Sequence, residues 1–362
     1  MAVTEAQVLS ILSQVKDPEL GKDVVTLGMI KDLKIQDGAV DLRLVLTTPA
    51  CPVRDEFKEL VHDAVAGIPG VTKVAVTMDA NVAGVPMGEM APGVRNIIAV
   101  GAGKGGVGKS TVAVNLAVAL RNMGASVGLL DADIYGPNLP RMMGVKNMPQ
   151  AQGDRIPVIE NYGVKVMSMG FFIPEGQAVV WRGPMIHGAI QQMLRDVEWG
   201  DLDYLVVDLP PGTGDASLSL AQLVPLTGAV IVLTPSEVAL EDGAKAIAMF
   251  RKLNVPILGL IENMSYFSCP HCGEAIDIFG RGASDRICKE FNIDFLGDLP
   301  IDPTVRIGGD DGMPVTVSAP DGASAKRFAD VARVLAGKIS VANLNKTEAV
   351  PTINLFSTPK PT

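Results

Sequence analysis

Residues 97–111, IIAVGAGKGGVGKST, constrain the fold of this chain more than any other stretch. An apolar run, Ile97–Val100, enters a glycine-rich loop, and a helical pattern follows from about residue 109 to 123. The loop contains Gly103-x4-Gly108-Lys109-Ser110, the spacing of a phosphate-binding loop set between a strand and a helix. Glycines let backbone N–H groups turn inward around an anion, and the positive end of the helix points at the same place. The residues expected to cradle a nucleotide are therefore Gly103, Lys104, Gly105, Gly106, Val107, Gly108, Lys109, Ser110 and Thr111. Lys109 carries the charge for the β- and γ-phosphates, the Ser110 hydroxyl suits Mg²⁺, and Thr111 adds a phosphate contact. Gly124 is a fitting residue to end the helix.

A loop of this kind needs a parallel sheet behind it, and the rest of the chain supplies the pattern. Short apolar runs recur at Val127–Leu130, Val164–Met167, Tyr204–Val207, Ala229–Leu233 and Ile257–Ile261, separated by loops and helical stretches. Such runs mark strands buried on both faces. The expected architecture is α/β, a doubly wound, mostly parallel sheet with functional loops at the carboxyl ends of its strands. Two of those ends carry carboxylates: Asp131 and Asp133 in LLDADIYGPNLP, and Asp208 in YLVVDLPPGTGD. A carboxylate at the end of a buried strand is costly unless paired or close to metal. Asp208 suits the role of holding Mg²⁺, Asp133 that of orienting an attacking water, and Asp131 that of supporting the site. Asp215 is explained as well by a helix N-cap.

The first 80 residues follow a different grammar. A helical pattern at 4–16, with Val8, Ile11, Leu12 and Val15 on one face, stops at Asp17-Pro18. Two alternating strands, 29–35 and 39–46, flank the turn signal Asp37-Gly38. A helix at 53–66 and a strand at 71–78 complete a small α+β module. Residues 81–95, rich in Gly, Pro and Met, read as a linker. The ATPase-type domain is expected over 96–340, and residues 341–362 read as a flexible tail.

With 48% hydrophobic residues the chain can bury a large core, and its formal charge of −9 gives no field for nucleic acid or anionic lipid. No apolar run reaches 18 residues, and the first 20 residues lack the basic start and cleavage pattern of a leader. A reduced, cytoplasmic protein, with no nucleic-acid or membrane partner, is the expectation. The four cysteines cannot form a disulfide framework in a chain this long. Cys269 and Cys272 form a C-x-x-C pair, suited to zinc, an iron–sulfur cluster or a redox disulfide. Either metal site wants four ligands, and a two-fold dimer would bring two pairs together. His271 between them reads as a solvated turn residue. Cys288 reads as a small buried hydrophobe, and Cys51 lies in a loop before a helix, equally open to a structural or a contact role.

Residues 95–335 resemble the Mrp/ApbC/Nbp-type iron–sulfur cluster carrier ATPases of the MinD/ParA group. The matching segments are GKGGVGKST, LLDADIYGPNLP, WRGPM (181–185), DLPPGTGD, TPSEVALEDGAKAI (234–247), ENMSYFSCPHCGE (262–274) and GDLPIDPTVR (297–306). Residues 5–80 resemble the small MIP18-type domain, through DPEL (17–20) and TTPACP (47–52). The resemblance implies a homodimer in which Lys104 reaches the partner's nucleotide, Asn263 contacts adenine, and paired Cys269 and Cys272 bridge a [4Fe–4S] cluster. It implies ATP hydrolysis, with the cluster as cargo taken from an assembly scaffold and passed to apo iron–sulfur client proteins. Two other readings are a MinD/ParA-like positioning switch and a zinc-stabilised nucleotide-binding scaffold. The first would want a basic amphipathic C-terminal helix or a basic surface, and residues 343–362 carry only Lys346 and Lys360.

Overall fold

A computed structural model describes residues 3–17, 20–51, 53–84, 88–146, 155–172, 183–269, 271–280 and 282–348. Parts of four sequence signatures, Pro18-Glu19, Pro52, Trp181-Arg182 and Pro270, lie outside the described residues, as do residues 349–362.

The small module starts with helix α1 (Glu5–Leu12), closed by a capping box between Thr4 and Gln7. It ends at the Ser13 cap, short of residue 16. Strands β1 (Ile30–Gln36) and β2 (Ala39–Leu46) pair antiparallel across Asp37-Gly38, where both residues have positive φ. Helix α2 (Arg54–Ala66) then crosses over to β3 (Lys73–Ala80), which lies parallel to β2. Alternating residues Val40, Leu42, Leu44 and Leu46 face the two helices and form a separate core with Val8, Leu12, Phe57, Val61 and Val65.

The larger domain is built on strands β4 (Ile97–Gly101), β5 (Val127–Asp131), β6 (Ile159–Asn161), β7 (Val164–Ser168), β8 (Tyr204–Asp208), β9 (Gly228–Leu233), β10 (Ile257–Glu262) and β13 (Phe295–Asp298). A short hairpin, β11 (Phe267–Ser268) with β12 (Ala275–Ile276), stands apart from the sheet. The eight sheet strands run in the order β13-β10-β9-β4-β8-β5-β7-β6. All neighbours are parallel except β6 with β7. The expected strands appear within a residue or two of their apolar runs, because β4, β5, β8 and β9 are buried at every position.

Helices α3 (Lys109–Asn122), α4 (Leu139–Met142), α5 (Gly183–Arg195), α6 (Asp215–Leu223), α7 (Glu237–Lys252), α8 (Ala283–Phe291), α9 (Pro303–Asp311), α10 (Val315–Ser318) and α11 (Ala323–Glu348) connect and cover the strands. One apolar layer joins α3 and α11 to the sheet through Leu116, Leu120, Phe328 and Leu335. The opposite layer holds Ile190, Leu194, Ile247 and Phe250 of α5 and α7. Gly124 follows the Met123 cap of α3 in the left-handed region, as its sequence position predicts.

Two expectations about boundaries need correction. Of residues 81–95, Val82, Ala91 and Val94 are buried, and Asn96 Nδ2 donates to the Ala83 carbonyl. The described residues of this stretch, 81–84 and 88–95, are packed connection, not a loose linker, and residues 85–87 lie outside the described residues. Residues 341–348 are the last turns of α11, and buried Asn343 donates to both Asn96 Oδ1 and the Ala83 carbonyl. The first part of the supposed tail is therefore a clamp on the domain junction. Loop 47–51 joins in: Thr47 accepts from Ser340 Oγ, Thr48 Oγ1 lies 3.4 Å from the Tyr204 hydroxyl, and Ala50 enters the larger domain's core. Composition misses the contacts of Asn343, Ser340 and Thr48 because each of their partners lies more than a hundred residues away in sequence.

Candidate nucleotide and cluster site

The phosphate loop leaves the end of β4, at the centre of the sheet, and turns into α3. Gly106 and Gly108 both have positive φ, near 80°, where a side chain would strain the backbone. Gly103 is held to glycine by space instead: a Cβ there would sit 2.0 Å from the Asp242 carbonyl oxygen of α7.

Strand register assembles the acidic group. Val100 of β4 pairs with Asp208 of β8, and Asp208 with Asp131 of β5, so three loops open side by side. Lys109 is buried, and its Nζ lies 2.7 Å from Asp208 Oδ1 and 3.5 Å from Asp133 Oδ2. The Ser110 hydroxyl donates to Asp208 Oδ2 at 2.5 Å. Burial pushes the Asp208 carboxyl up, and Lys109 and Ser110 pull it back only in part. Asp133 Oδ1 is buried and takes no hydrogen bond. A buried, unpaired carboxylate oxygen beside a lysine is a costly arrangement that a ligand or bound water relieves.

Asp131 has no place for a ligand. Its oxygens accept from the Asp133 and Leu139 backbone N–H groups, each at 3.1 Å, and from Ser168 Oγ at 2.9 Å. Burial first, and then the Asp208 charge, raise its pKa to about 7. It pins the loop carrying Asp133 to the end of β7. Sequence reading missed Ser168, although its register opposite Asp131 makes it the natural partner.

Lys109, Ser110 and Asp133 lie in the lining of a cleft of about 640 Å³, together with Lys104, Gly105, Thr111, Asn263, Pro300 and Asp302, and Asp208 stands behind Lys109 and Ser110. Lys104 is half-buried at its edge. Buried Asn263, just past β10, donates through Nδ2 to the Val107 carbonyl at 2.8 Å, which ties β10 to the phosphate loop. Sequence reading also missed Arg141, Arg306 and Asp310 on α4 and α9, which close the far wall. The oxygen pair of Ser110 and Asp208 suits a hard cation such as Mg²⁺.

The cysteine pair stands away from these residues, in the turn of the β11–β12 hairpin. Cys269 N–H donates to the Glu274 carbonyl, and Gly273 N–H donates to the Cys269 carbonyl, which closes the turn. The backbone N–H groups of His271 and Cys272, with the Cys272 thiol, hold the Cys269 thiol below its ordinary pKa. Cys272 is exposed and Cys269 half-buried, so both reach solvent. Cys288 is buried in α8, where desolvation and nearby carboxylates push it up to about 11. It is inert packing, as its helical position predicts. Cys51 lies in the small module, half-buried in the loop ahead of α2. Among the described residues no group of three or more His, Cys, Asp or Glu could hold a metal ion within one chain.

Residues 93–336 match the model of the NUBPL iron-transfer P-loop NTPases, and residues 5–77 match that of the iron–sulfur cluster assembly proteins. The chain belongs to the NUBPL-type iron-transfer P-loop NTPase family. It is 50% identical over 355 residues to an iron–sulfur cluster carrier protein of a Synechocystis strain, covering 95% of this chain and 100% of that one. A solved nucleotide-binding protein from Archaeoglobus fulgidus, in complex with ADP, is 39% identical, with a TM-score of 0.56 over 63% of this chain and 90% of that chain. The cell-division ATPase MinD of Pyrococcus furiosus is 25% identical, with a TM-score of 0.50 over 66% of this chain and 97% of that chain. Family and fold thus agree with the reading of the motifs: an iron–sulfur cluster carrier of the P-loop NTPase class, with a small assembly-type domain in front. No helix among the described residues is long and apolar enough to cross a membrane.

Proposed function

We propose that this protein is a cytoplasmic, homodimeric ATPase that holds a [4Fe–4S] cluster between two copies of its cysteine hairpin and passes it to apo-proteins. The observation that carries the cluster assignment is the hairpin itself: two thiols at an accessible tip, one with its thiolate favoured by backbone N–H groups, and, among the described residues, no third metal ligand grouped with them. A cluster of this type takes four thiolates, so one chain supplies half a site. Ile276, Ile278 and Phe279, just after the cysteines, are all about half exposed, which is the apolar surface a second copy would cover.

In the cleft, the loop N–H groups, Lys109 and Thr111 bind the ATP phosphates, and Asn263 faces the adenine. Ser110 and Asp208 hold Mg²⁺, which neutralises phosphate charge when bound. Asp133 positions the attacking water through its unpaired oxygen. Lys109 moves from the carboxylates to the phosphates. Lys104, at the rim, reaches the nucleotide of the partner subunit. Water attacks the γ-phosphorus, the bond to the β-phosphate oxygen breaks, and ADP and phosphate leave.

Iron and sulfide content after anaerobic reconstitution, measured together with the size of the assembly, tests the cluster. About four iron atoms per dimer are expected for wild type and none for Cys269→Ala or Cys272→Ala, while Cys288→Ala keeps its iron. A stoichiometric cluster in a monomer, or zinc in place of iron in anaerobically purified protein, would overturn the reading. Lys104→Ala should keep nucleotide affinity and lose hydrolysis.

A further inference from the structure

Glu262 is the last residue of β10 and is buried, 2% exposed. Among the described residues no cation forms an ion pair with it. Its partners are neutral donors. The Ser265 hydroxyl donates to Oε1 at 2.5 Å, and the hydroxyl and backbone N–H of Ser284 both donate to Oε2. Both serines are themselves buried. Ser284 lies in the first turn of α8, whose Gly282 cap offers no side chain. Glu262 therefore caps that helix from another strand, where its positive end favours a carboxylate.

The position of the two serines matters more than their number. They bracket residues 266–283, the excursion that carries Cys269 and Cys272. One carboxylate clasps both ends of it. The same short stretch touches the cleft. Asn263, the next residue, is bonded to the phosphate loop at Val107. Residues 262–266 also pair with 299–301: Leu299 N–H donates to the Glu262 carbonyl, Ser265 N–H to the Leu299 carbonyl, and Ile301 N–H to the Tyr266 carbonyl. Pro300, Ile301 and Asp302 line the nucleotide cleft.

We propose that Glu262 is the positioning residue that couples the nucleotide cleft to the cysteine hairpin, by clasping Ser265 and Ser284 at its base while its neighbour Asn263 holds the phosphate loop. This rests on the reading of the cleft as the nucleotide site and the hairpin as the cluster site. A nucleotide that shifts the phosphate loop shifts Val107 and with it Asn263. Glu262 follows as the adjacent residue, and the clasp carries the displacement to both ends of the excursion. Without the clasp, residues 299–301 still hold the start of the excursion at Tyr266 and α8 still packs through Ile287 and Cys288, but the first turn of α8 loses its bonds to β10, and the hairpin keeps its own turn while losing its response. Coupling of this kind needs a continuous set of packed and bonded groups that both sites bias, and the buried carboxylate supplies the joint.

The test uses the full chain, reduced and cluster-free, at a concentration where sizing gives a monomer, so that subunit contact cannot shield the thiols. Iodoacetamide alkylation of Cys269 and Cys272 is followed by mass spectrometry with and without saturating MgADP. In wild type the nucleotide should change both rates by about fivefold or more. In Glu262→Gln the ratio should fall to near one, while the rates without nucleotide and the MgADP Kd stay within about twofold of wild type. Ser284→Ala, which keeps the carboxylate and removes one hydroxyl donor, should fall between and carries the test if Glu262→Gln does not fold. A ratio retained in both variants, or a variant in which both rates rise equally, would make Glu262 a local prop and overturn the proposal. So would a wild type whose cysteines ignore the nucleotide. Loss of the cluster reading would show separately, as a reconstituted wild type without iron.

Discussion

Replacing Lys109 should do more than remove a phosphate ligand; it should destabilise the nucleotide-free protein. The ammonium is the cation against Asp208, at 2.7 Å, and the nearer charge to Asp133, at 3.5 Å. In Lys109→Met the apolar stem is preserved and the charge is gone. Among the described residues, Asp208 is then a buried carboxylate with only the Ser110 hydroxyl to support it. Breaking a buried pair from one side costs about 3–5 kcal/mol. Proton uptake sets a ceiling on that loss. Holding a carboxyl neutral at pH 7, against an ordinary value of 3.8, costs about 4 kcal/mol, and at pH 5 only about 1.6 kcal/mol. The variant should therefore lose up to about 4 kcal/mol at pH 7 and under half of that at pH 5.

Urea unfolding followed by tryptophan fluorescence reads this directly. Both tryptophans, Trp181 and Trp199, belong to the larger domain's sequence, and Trp199 is buried with Nε1 donating to the Met193 carbonyl. The expected shift in midpoint at pH 7 is about 1 M or more. Adding Asp208→Asn to Lys109→Met should restore most of the loss, because no charge is left stranded. A Lys109→Met midpoint equal to wild type at pH 7, or a loss that does not shrink toward pH 5, would refute the reasoning. Either result would mean that water reaches Asp208 and that the pair is not buried in solution.

Asp133→Asn should keep ATP affinity within about threefold and slow turnover by about a hundredfold, since the role proposed for it is on the water and not on bound phosphate; steady-state turnover beside a binding titration checks it, and normal turnover removes Asp133 from the mechanism. Asp131 has its pKa raised to about 7, so its native form binds a proton that the unfolded chain has released above about pH 4. Stability from this group is present below that range and is lost as pH rises through 7. The stability of Asp131→Asn relative to wild type should accordingly grow between pH 5 and pH 8, by roughly 1–3 kcal/mol in matched urea titrations, and a pH-independent difference would contradict it. A fragment of residues 95–340 should be markedly less stable than one of residues 81–348, because the shorter piece lacks Asn343 and the Ala83 carbonyl that it and Asn96 share; equal thermal midpoints would show the junction to be ornamental.

What could be read ahead of the structure divides along a physical line. Strands β4, β5, β8 and β9 were legible because burial on both faces forces apolar residues at every position. Strand β13 was not: it is an edge strand, Phe295 is exposed, and Gly297-Asp298 reads as a turn. Strand β6 has three residues and pairs antiparallel, too short for a period. The same division runs through the site. Lys109, Ser110, Asp133, Asp208, Cys269 and Cys272 announce themselves because their chemistry depends on residue type and close spacing. Ser168, Glu262, Ser265 and Ser284 carry no such spacing. Their partners meet through strand register or at the closure of an excursion, as when Ser168 meets Asp131 across β5 and β7. The two misread boundaries have the same origin. Glycine and proline in 81–95 are signs of a chain without long helix or strand; composition cannot say that Val82, Ala91 and Val94 find a core to enter. Asn343 is polar and near the end of the chain, yet two acceptors from residues 83 and 96 bury it. Local pattern therefore locates the groups proposed to act on a ligand, while the groups that hold them in place, and that are proposed to relay one site's state to the other, are set by contacts between distant segments.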